Sequence, residues 1–95
     1  MIAQINPSAS VIDPKVLTPS KRQMLEIIHD HQPSRSNGGY GKFPQSFVAL
    51  KTGRYFIELG LARIDHSARG DRLMLTGKGL ATYGVMVERR QRRRA

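Results

Sequence analysis

Two short stretches in which apolar and charged residues alternate constrain the fold of this chain most. Residues 61–65 read LARID and residues 72–76 read RLMLT, and the HSARGD segment between them is rich in turn-forming residues. Alternation with a period of two places the apolar side chains on one face of an extended strand. The pair is therefore predicted to form a β-hairpin that packs one face on a core and carries Arg69 and Arg72 near its tip.

An amphipathic helix is predicted before the hairpin, beginning near Thr18 or Ser20. Thr18 precedes Pro19, which suits the first helical position, whereas Ser20 and Gln23 match a capping box. Either start gives a helix of about 11 to 14 residues that ends near Pro33. Its apolar side is formed by Met24, Leu25, Ile27 and Ile28.

Residues 33–44 are predicted to form a long surface loop, because their two prolines and three glycines break both helix and strand. The loop contains a Gly-Lys pair at Gly41 and Lys42, but it lacks the upstream glycine and the following Ser or Thr of a phosphate-binding P-loop. Lys42 is therefore predicted to be a simple phosphate contact rather than part of a nucleotide site.

The apolar residues of 45–59 have helical spacing that is interrupted at Thr52 and Gly53. We expect a short helix at 45–50, a turn, and a second helix at 53–59, with Thr52 as its N-cap. Gly60 is predicted to end the second helix in a left-handed conformation. A single bent helix over residues 45–59 is the alternative.

A last helix is predicted to begin after Thr76, which is a good N-cap, and to continue to Val87. The early glycines Gly77 and Gly79 weaken its first turn. Its apolar side chains are those of Leu80, Tyr83 and Val87. They are expected to pack against either the first helix or the same helix of a second subunit.

Length and sequence pattern predict one domain with two flexible ends. The chain has 95 residues, and chains divide into several domains only at greater lengths. We assign residues 1–16 to a flexible N-terminal arm, residues 17–87 to the folded domain and residues 88–95 to a disordered, Arg-rich tail.

Composition points to a polyanionic partner. The chain has 16 Lys and Arg against 7 Asp and Glu, a net charge of +9, and a sequence pI near 10.9. Clustered basic side chains gain affinity by releasing counterions from nucleic-acid phosphates. The chain has no cysteine, so disulfides and thiolate metal sites are excluded. Without a recognisable signal peptide or membrane-spanning stretch, the protein is expected to be cytoplasmic and associated with the nucleoid.

Three segments in this order resemble winged helix-turn-helix domains of the MarR-like and phage-type regulators. LTPSKRQMLEII is similar to their first helix, YFIELGLARID to the recognition helix entering the first wing strand, and DRLMLTGKGLATY to the second wing strand and its exit. The resemblance covers about residues 17–84. It implies an α+β fold with three or four helices, a two-stranded hairpin wing, and a homodimer formed through terminal helices.

The resemblance implies a sequence-specific duplex DNA-binding protein of phage or mobile-element kind, a repressor-like transcriptional regulator that acts by occupying its site. Arg54 is predicted to contact base edges, and the wing arginines are predicted to enter a minor groove or to contact phosphate. The Arg-rich tail is predicted to clamp phosphates without regard to sequence. The full set of predicted DNA contacts is Lys42, Lys51, Thr52, Arg54, Tyr55, Arg69, Arg72, Arg89, Arg90, Arg92, Arg93 and Arg94.

Two other functions fit the same sequence features. A winged helix can serve as a protein-interaction adaptor, with the arginine tail addressing an acidic protein partner. A basic hairpin and an Arg-rich tail also suit RNA or ribosome binding. No enzymatic activity, cofactor or metal is expected, because the acids are scattered singly and the neighbouring histidines His29 and His31 lie on different sides of a helix.

Overall fold

The computed structural model describes residues 12–42, 45–68 and 70–94. These residues form an α+β arrangement of three α-helices and two small antiparallel sheets. None of the described helices is long and apolar enough to cross a membrane. After a 3-10 turn at Pro14–Val16, the elements are α1 (Pro19–His31), β1 (Arg35–Ser36), β2 (Gly39–Tyr40), β3 (Val48–Ala49), α2 (Leu50–Glu58), β4 (Ala62–Ser67), β5 (Gly70–Leu75) and α3 (Gly77–Arg94).

Helix α1 begins and ends where its sequence signals predict. The Thr18 hydroxyl accepts a hydrogen bond from the backbone N–H of Lys21 at 3.2 Å, so Thr18 is the N-cap, and Pro19 occupies the first helical position. Gln32 takes a left-handed conformation with φ of 45°, which ends the helix one residue before Pro33. Of the two predicted starts, the structure therefore selects Thr18.

The prediction that 33–44 is an irregular loop is wrong for the described part of this segment. Strands β1 and β2 pair as a tight antiparallel hairpin, and β2 also pairs with β3 to complete a three-stranded sheet. The N–H of Gly41 donates to the carbonyl of Ser34 at 2.8 Å. The glycines and prolines of this segment break long elements, but they are compatible with strands of two residues.

The predicted helix at 45–50 is also wrong, and so is the single bent helix over 45–59, whereas the predicted helix at 53–59 is present in α2 and begins earlier, at Leu50. The described chain passes from β3 directly into α2, and the N–H of Leu50 donates to the carbonyl of Gly38 at 3.2 Å. Strand pairing with β2 holds the preceding residues extended, so the helix begins at Leu50. Thr52 lies inside the helix, and the N-cap is Ala49, whose side chain forms no capping hydrogen bond.

Gly60 ends α2 as predicted. Its φ of 79° is in the left-handed region, its N–H donates to the carbonyl of Ile57 at 3.0 Å, and the N–H of Leu61 donates to Phe56 at 2.9 Å. These two bonds form a Schellman motif, which satisfies carbonyl groups at the helix end. The chain thereby turns directly into β4.

The predicted hairpin is confirmed, and it is longer than the alternating segments. Strands β4 and β5 are antiparallel and in register from Ala62 opposite Leu75 to Ser67 opposite Gly70. Its core-facing side carries Ala62, Leu73 and Leu75, all buried. On the other edge of β5, the N–H of Leu73 donates to the carbonyl of Pro33 at 2.9 Å, so the chain after α1 extends this sheet.

The core lies between α1, α2 and the two sheets. Phe56 of α2 is fully buried, and Gly53 one turn earlier allows the helix to approach Tyr40 of β2, because a Cβ at Gly53 would lie 2.9 Å from the Tyr40 ring. Burial of such side chains is the main force that stabilises a domain of this size. The largest fully buried side chains are Phe56, Leu17, Leu25, Ile28, Leu61, Leu73, Val48 and Thr82.

Helix α3 differs from the prediction at its C-terminal end. Thr76 caps it as predicted, since its hydroxyl accepts from the N–H of Gly79 at 3.1 Å. The helix then continues through Arg94, so the prediction of disorder over 88–95 is wrong for the described residues 88–94. Of the predicted apolar positions, Tyr83 packs against the core, whereas Leu80 is 52% exposed and does not face the domain. The residues that face the domain are Gly79, Thr82, Tyr83 and Met86.

The end of the predicted flexible arm is packed on the domain. Residues 1–11 lie outside the described part of the chain, but in residues 12–16 Pro14 is buried. The N–H of Ile12 donates to the Thr82 hydroxyl at 3.3 Å, and Ile12 packs against the core. The folded unit therefore begins before Leu17.

Replacing Gly60 with alanine tests the turn between α2 and β4. No atom blocks a Cβ at Gly60, but its φ of 79° strains any L-residue, so we expect Gly60→Ala to lower the free energy of unfolding by about 1–2 kcal/mol. The matched control is Gly84→Ala within α3, where a Cβ has no atom within 4 Å, and it should raise the free energy of unfolding by about 0.5–1 kcal/mol. Urea denaturation measures both, and equal effects of the two substitutions would contradict the turn assignment.

Candidate nucleic-acid interface

Helix α2 presents a basic side to solvent. Lys51, Arg54 and Glu58 are exposed, and their spacing of three and four residues places them on one side of the helix. Gly53 and Phe56 are buried and attach the opposite side to the core. The two predicted contacts Lys51 and Arg54 are therefore held on a helix whose position is fixed by packing.

Two other predicted contacts on α2 do not join this exposed side. Thr52 is half-buried in the third helical position, so it does not present the capping geometry that its prediction assumed. Tyr55 packs against the core, edge-on to Phe56 with ring centroids 5.6 Å apart. Lys21 of α1 lies over the Tyr55 ring, 4.8 Å from its centroid. Lys21 is therefore a further cation beside α2, and it was not among the predicted DNA contacts.

The hairpin contributes a cation on its outward face. Arg72 is exposed on β5, directly opposite Asp65 of β4, and the Asp65 carboxylate is 3.4 Å from Arg63. Arg69, the other predicted wing contact, lies outside the described residues. Ser34 forms an isolated bridge with Arg72, so the segment after α1 borders this face.

Lys42 follows a residue that is linked to Arg72 through Ser34, although Lys42 and Arg72 are thirty positions apart in the sequence. Gly41, its neighbour, donates its N–H to Ser34, and Ser34 is the bridge partner of Arg72. Lys42 is exposed. The structure therefore brings the loop and hairpin contacts to adjoining chain segments, which their positions in the sequence did not indicate.

Lys42, Lys51, Arg54 and Arg72 share one electrostatic property. Among the described residues, no carboxylate lies within ion-pair distance of any of them. An unpaired, exposed cation keeps its full charge available to an external anion, whereas a paired one must first give up its partner. These four side chains form what we call the open basic set.

The arginines of α3 have a different environment. Arg89 donates to the Asp13 carboxylate at 2.6 Å, Arg90 is 3.5 Å from Glu26, and Arg92 is 3.7 Å from Glu88 within the helix. Arg93 is exposed, and of Arg94 only the backbone is described. Arg89 and Arg90 therefore lie beside carboxylates of other elements, whereas Arg92 pairs within α3.

The Arg89 pair perturbs both of its members. The hydrogen bond from Arg89, together with one from the N–H of Lys15, lowers the pKa of Asp13 from 3.8 to about 2. The same hydrogen bond raises the pKa of Arg89. The Asp13 carboxylate therefore stays ionised in any mildly acidic solution and keeps the end of α3 attached to the 3-10 turn.

His29 of α1 packs against α3. His29 stacks on Tyr83 with ring centroids 4.0 Å apart, and its Nδ1 lies 2.8 Å from the Asp30 carboxylate. Burial raises the pKa of the Tyr83 hydroxyl, and the nearby Asp30 and Glu26 raise it further. In the described part of the chain, no three His, Cys, Asp or Glu side chains come together as a metal site would require.

Comparisons with known proteins assign no relative to this arrangement: no protein-family model, curated protein or solved structure matches the chain.

Replacing Arg89 with glutamine tests the attachment of α3. The substitution removes the strongest interaction that favours the ionised Asp13 carboxylate, so we expect the pKa of Asp13 to rise from about 2 toward 3.8. A depressed pKa in the folded state adds stability above pH 4 that is lost as the pH falls toward 2. Arg89→Gln should therefore lose less stability than the wild type across that interval.

Carbon-13 NMR titration of the Asp13 carboxyl measures the shift, and urea denaturation at pH 5 and pH 2.5 measures the stability. Arg92→Gln is the matched control, because its partner is Glu88 and it should leave the titration of Asp13 unchanged. Identical Asp13 titrations in the wild type and in Arg89→Gln would show that the pair does not form in solution.

Proposed function

We propose that this protein is a sequence-specific duplex DNA-binding protein, a small cytoplasmic transcriptional regulator that acts by occupying its site. The observation that carries the proposal is the open basic set, whose cations lie on α2 and on the segments around the β4–β5 hairpin. An α-helix fits the major groove of B-DNA, and a hairpin next to the helix can contact the DNA backbone beside the groove.

The order of the elements along the chain supports the interpretation of this arrangement as a winged helix. Helix α2 precedes the two-stranded hairpin directly, and α3 follows it, as recognition helix, wing and terminal helix do in that fold. The residues after α1 pair with β5, which gives the hairpin a third extended neighbour. The middle helix of the usual arrangement has no counterpart here, because β1, β2 and β3 occupy its place in the described chain.

Within this proposal the two cations of α2 have different roles. Arg54 has a planar guanidinium that can donate two hydrogen bonds to the O6 and N7 atoms of guanine. Lys51, in the first turn of α2, contacts backbone phosphate and is assisted by the positive end of the helix dipole. Lys42 and Arg72 contact the flanking backbone and fix the orientation of α2.

Replacing Arg54 with alanine should separate specific from general binding. A base contact contributes about 1–3 kcal/mol of discrimination, so Arg54→Ala should lower affinity for the preferred duplex by about tenfold or more relative to random duplex. The preferred duplex is first selected from a random pool with the wild-type protein, and fluorescence anisotropy then gives both affinities.

Arg92→Ala is the matched control for Arg54→Ala, since it removes an exposed helical arginine of equal charge from α3. It should change both affinities by a similar, small factor. If Arg54→Ala leaves the ratio of the two affinities unchanged, α2 is not the recognition helix. If structured RNA competes as well as the selected duplex, RNA binding replaces the proposal.

A further inference from the structure

A cleft lies between the 3-10 turn, the first half of α1 and the C-terminal half of α3. Its volume is about 520 Å³, which is within the range of small-ligand sites. Basic side chains outnumber acidic ones five to one along its walls. The charged residues of the lining are Lys15, Arg22, Glu26, Arg89, Arg90 and Arg93.

Two of these arginines are held in place by the fold. Arg22 donates from its Nη1 atom to the carbonyl of Leu17 at 2.7 Å and to that of Pro14 at 3.2 Å. Arg89 is held by the Asp13 carboxylate. These two side chains are therefore fixed parts of the cleft wall.

The other cations of the cleft are less constrained. Arg90 lies 3.5 Å from Glu26, which is the long limit of a hydrogen bond. Arg93 and the ammonium group of Lys15 have no carboxylate partner among the described residues. At least two positive charges are therefore available for an anion that enters the cleft.

The cleft also has an apolar part. Its lining includes Pro14, Pro19 and Met86, and of these three residues Pro19 is exposed to solvent. A small inorganic ion would leave this surface and most of the volume unused. An anion that carries an apolar body would fill both parts of the cleft.

We propose that this cleft binds a small organic phosphate ester. The phosphate dianion matches the charge excess, and its oxygens accept paired hydrogen bonds from the guanidinium groups of Arg90 and Arg93. The organic group packs on Pro14, Pro19 and Met86. The anion displaces Glu26 from Arg90, while the Asp13–Arg89 pair stays intact as part of the wall.

The cleft is a different site from the proposed DNA interface. On α1, Lys21 contacts Tyr55 of α2, whereas Arg22 and Glu26 line the cleft toward α3. None of the open basic set lines the cleft. The result of the ligand titration is therefore independent of the result of the DNA-binding experiments.

Calorimetric titration of the full chain with phenyl phosphate, inorganic phosphate and benzoate tests the proposal. Phenyl phosphate should bind most tightly, because only this probe combines the dianion with an apolar ring. Arg93→Gln should lower its affinity by about tenfold, the effect of losing a charge-assisted hydrogen bond. Arg92→Gln, the adjacent arginine outside the lining, should retain wild-type affinity. Circular dichroism verifies that both variants are folded.

The methyl resonance of Met86 gives a second readout, which should shift with phenyl phosphate and not with inorganic phosphate. Equal affinities for the three probes, or equal losses in Arg92→Gln and Arg93→Gln, would show general charge attraction and overturn the proposal. If phenyl phosphate does not bind and the Met86 signal shifts with duplex DNA instead, the cleft is a clamp for backbone phosphate. This result would also overturn the proposal.

Discussion

Repulsion among sixteen basic side chains is the constraint on which the rest of this structure depends. Only seven carboxylates are present to offset them, so the position of each acid decides which cations are neutralised. Asp13, Glu26 and Glu88 lie near arginines of α3, and Asp65 lies near Arg63. Asp30 and Asp71 pair with histidines. Six of the seven acids are therefore paired with cations or histidines that do not belong to the open basic set.

This distribution divides the positive charge of the described residues unevenly. On α3, Arg89 lies beside Asp13 of the 3-10 turn and Arg90 beside Glu26 of α1. The four cations of the open basic set have no carboxylate within ion-pair distance among the described residues. Surface ion pairs contribute little to stability individually, but they decide which side chains are free to bind.

Local signals in the sequence predicted the elements whose contacts are close along the chain. The Thr18 and Thr76 caps, the Gly60 turn and the β4–β5 hairpin each depend on residues within a few positions of one another. Lys51, Arg54 and Arg72 were predicted as DNA contacts, and all three are exposed in the structure, the first two on α2 and the third on β5.

The features that the sequence did not predict depend on contacts between distant segments. Strands β1, β2 and β3 are two residues each, too short for a periodic pattern, and their pairing displaces the expected helix at 45–50. The first arginine of the helical run, Arg89, contacts Asp13, 76 positions earlier in the chain, and composition alone does not indicate such a contact. The cleft combines Lys15 and Arg22 with α3, and no motif connects these positions.

The salt dependence of duplex DNA binding tests the central claim, that the open basic set and not α3 contacts the nucleic acid. The three phosphate contacts of Lys42, Lys51 and Arg72 predict a slope of roughly −3 for log affinity against log salt concentration, because each contributes about −0.9. A Lys51→Gln/Arg54→Gln double variant should make the slope shallower by about one, because Lys51 contacts phosphate and Arg54 contacts bases. The matched Arg90→Gln/Arg92→Gln variant should keep the wild-type slope. A wild-type slope near zero, or a change of slope in the α3 variant alone, would contradict the assignment of the DNA contacts to the open basic set.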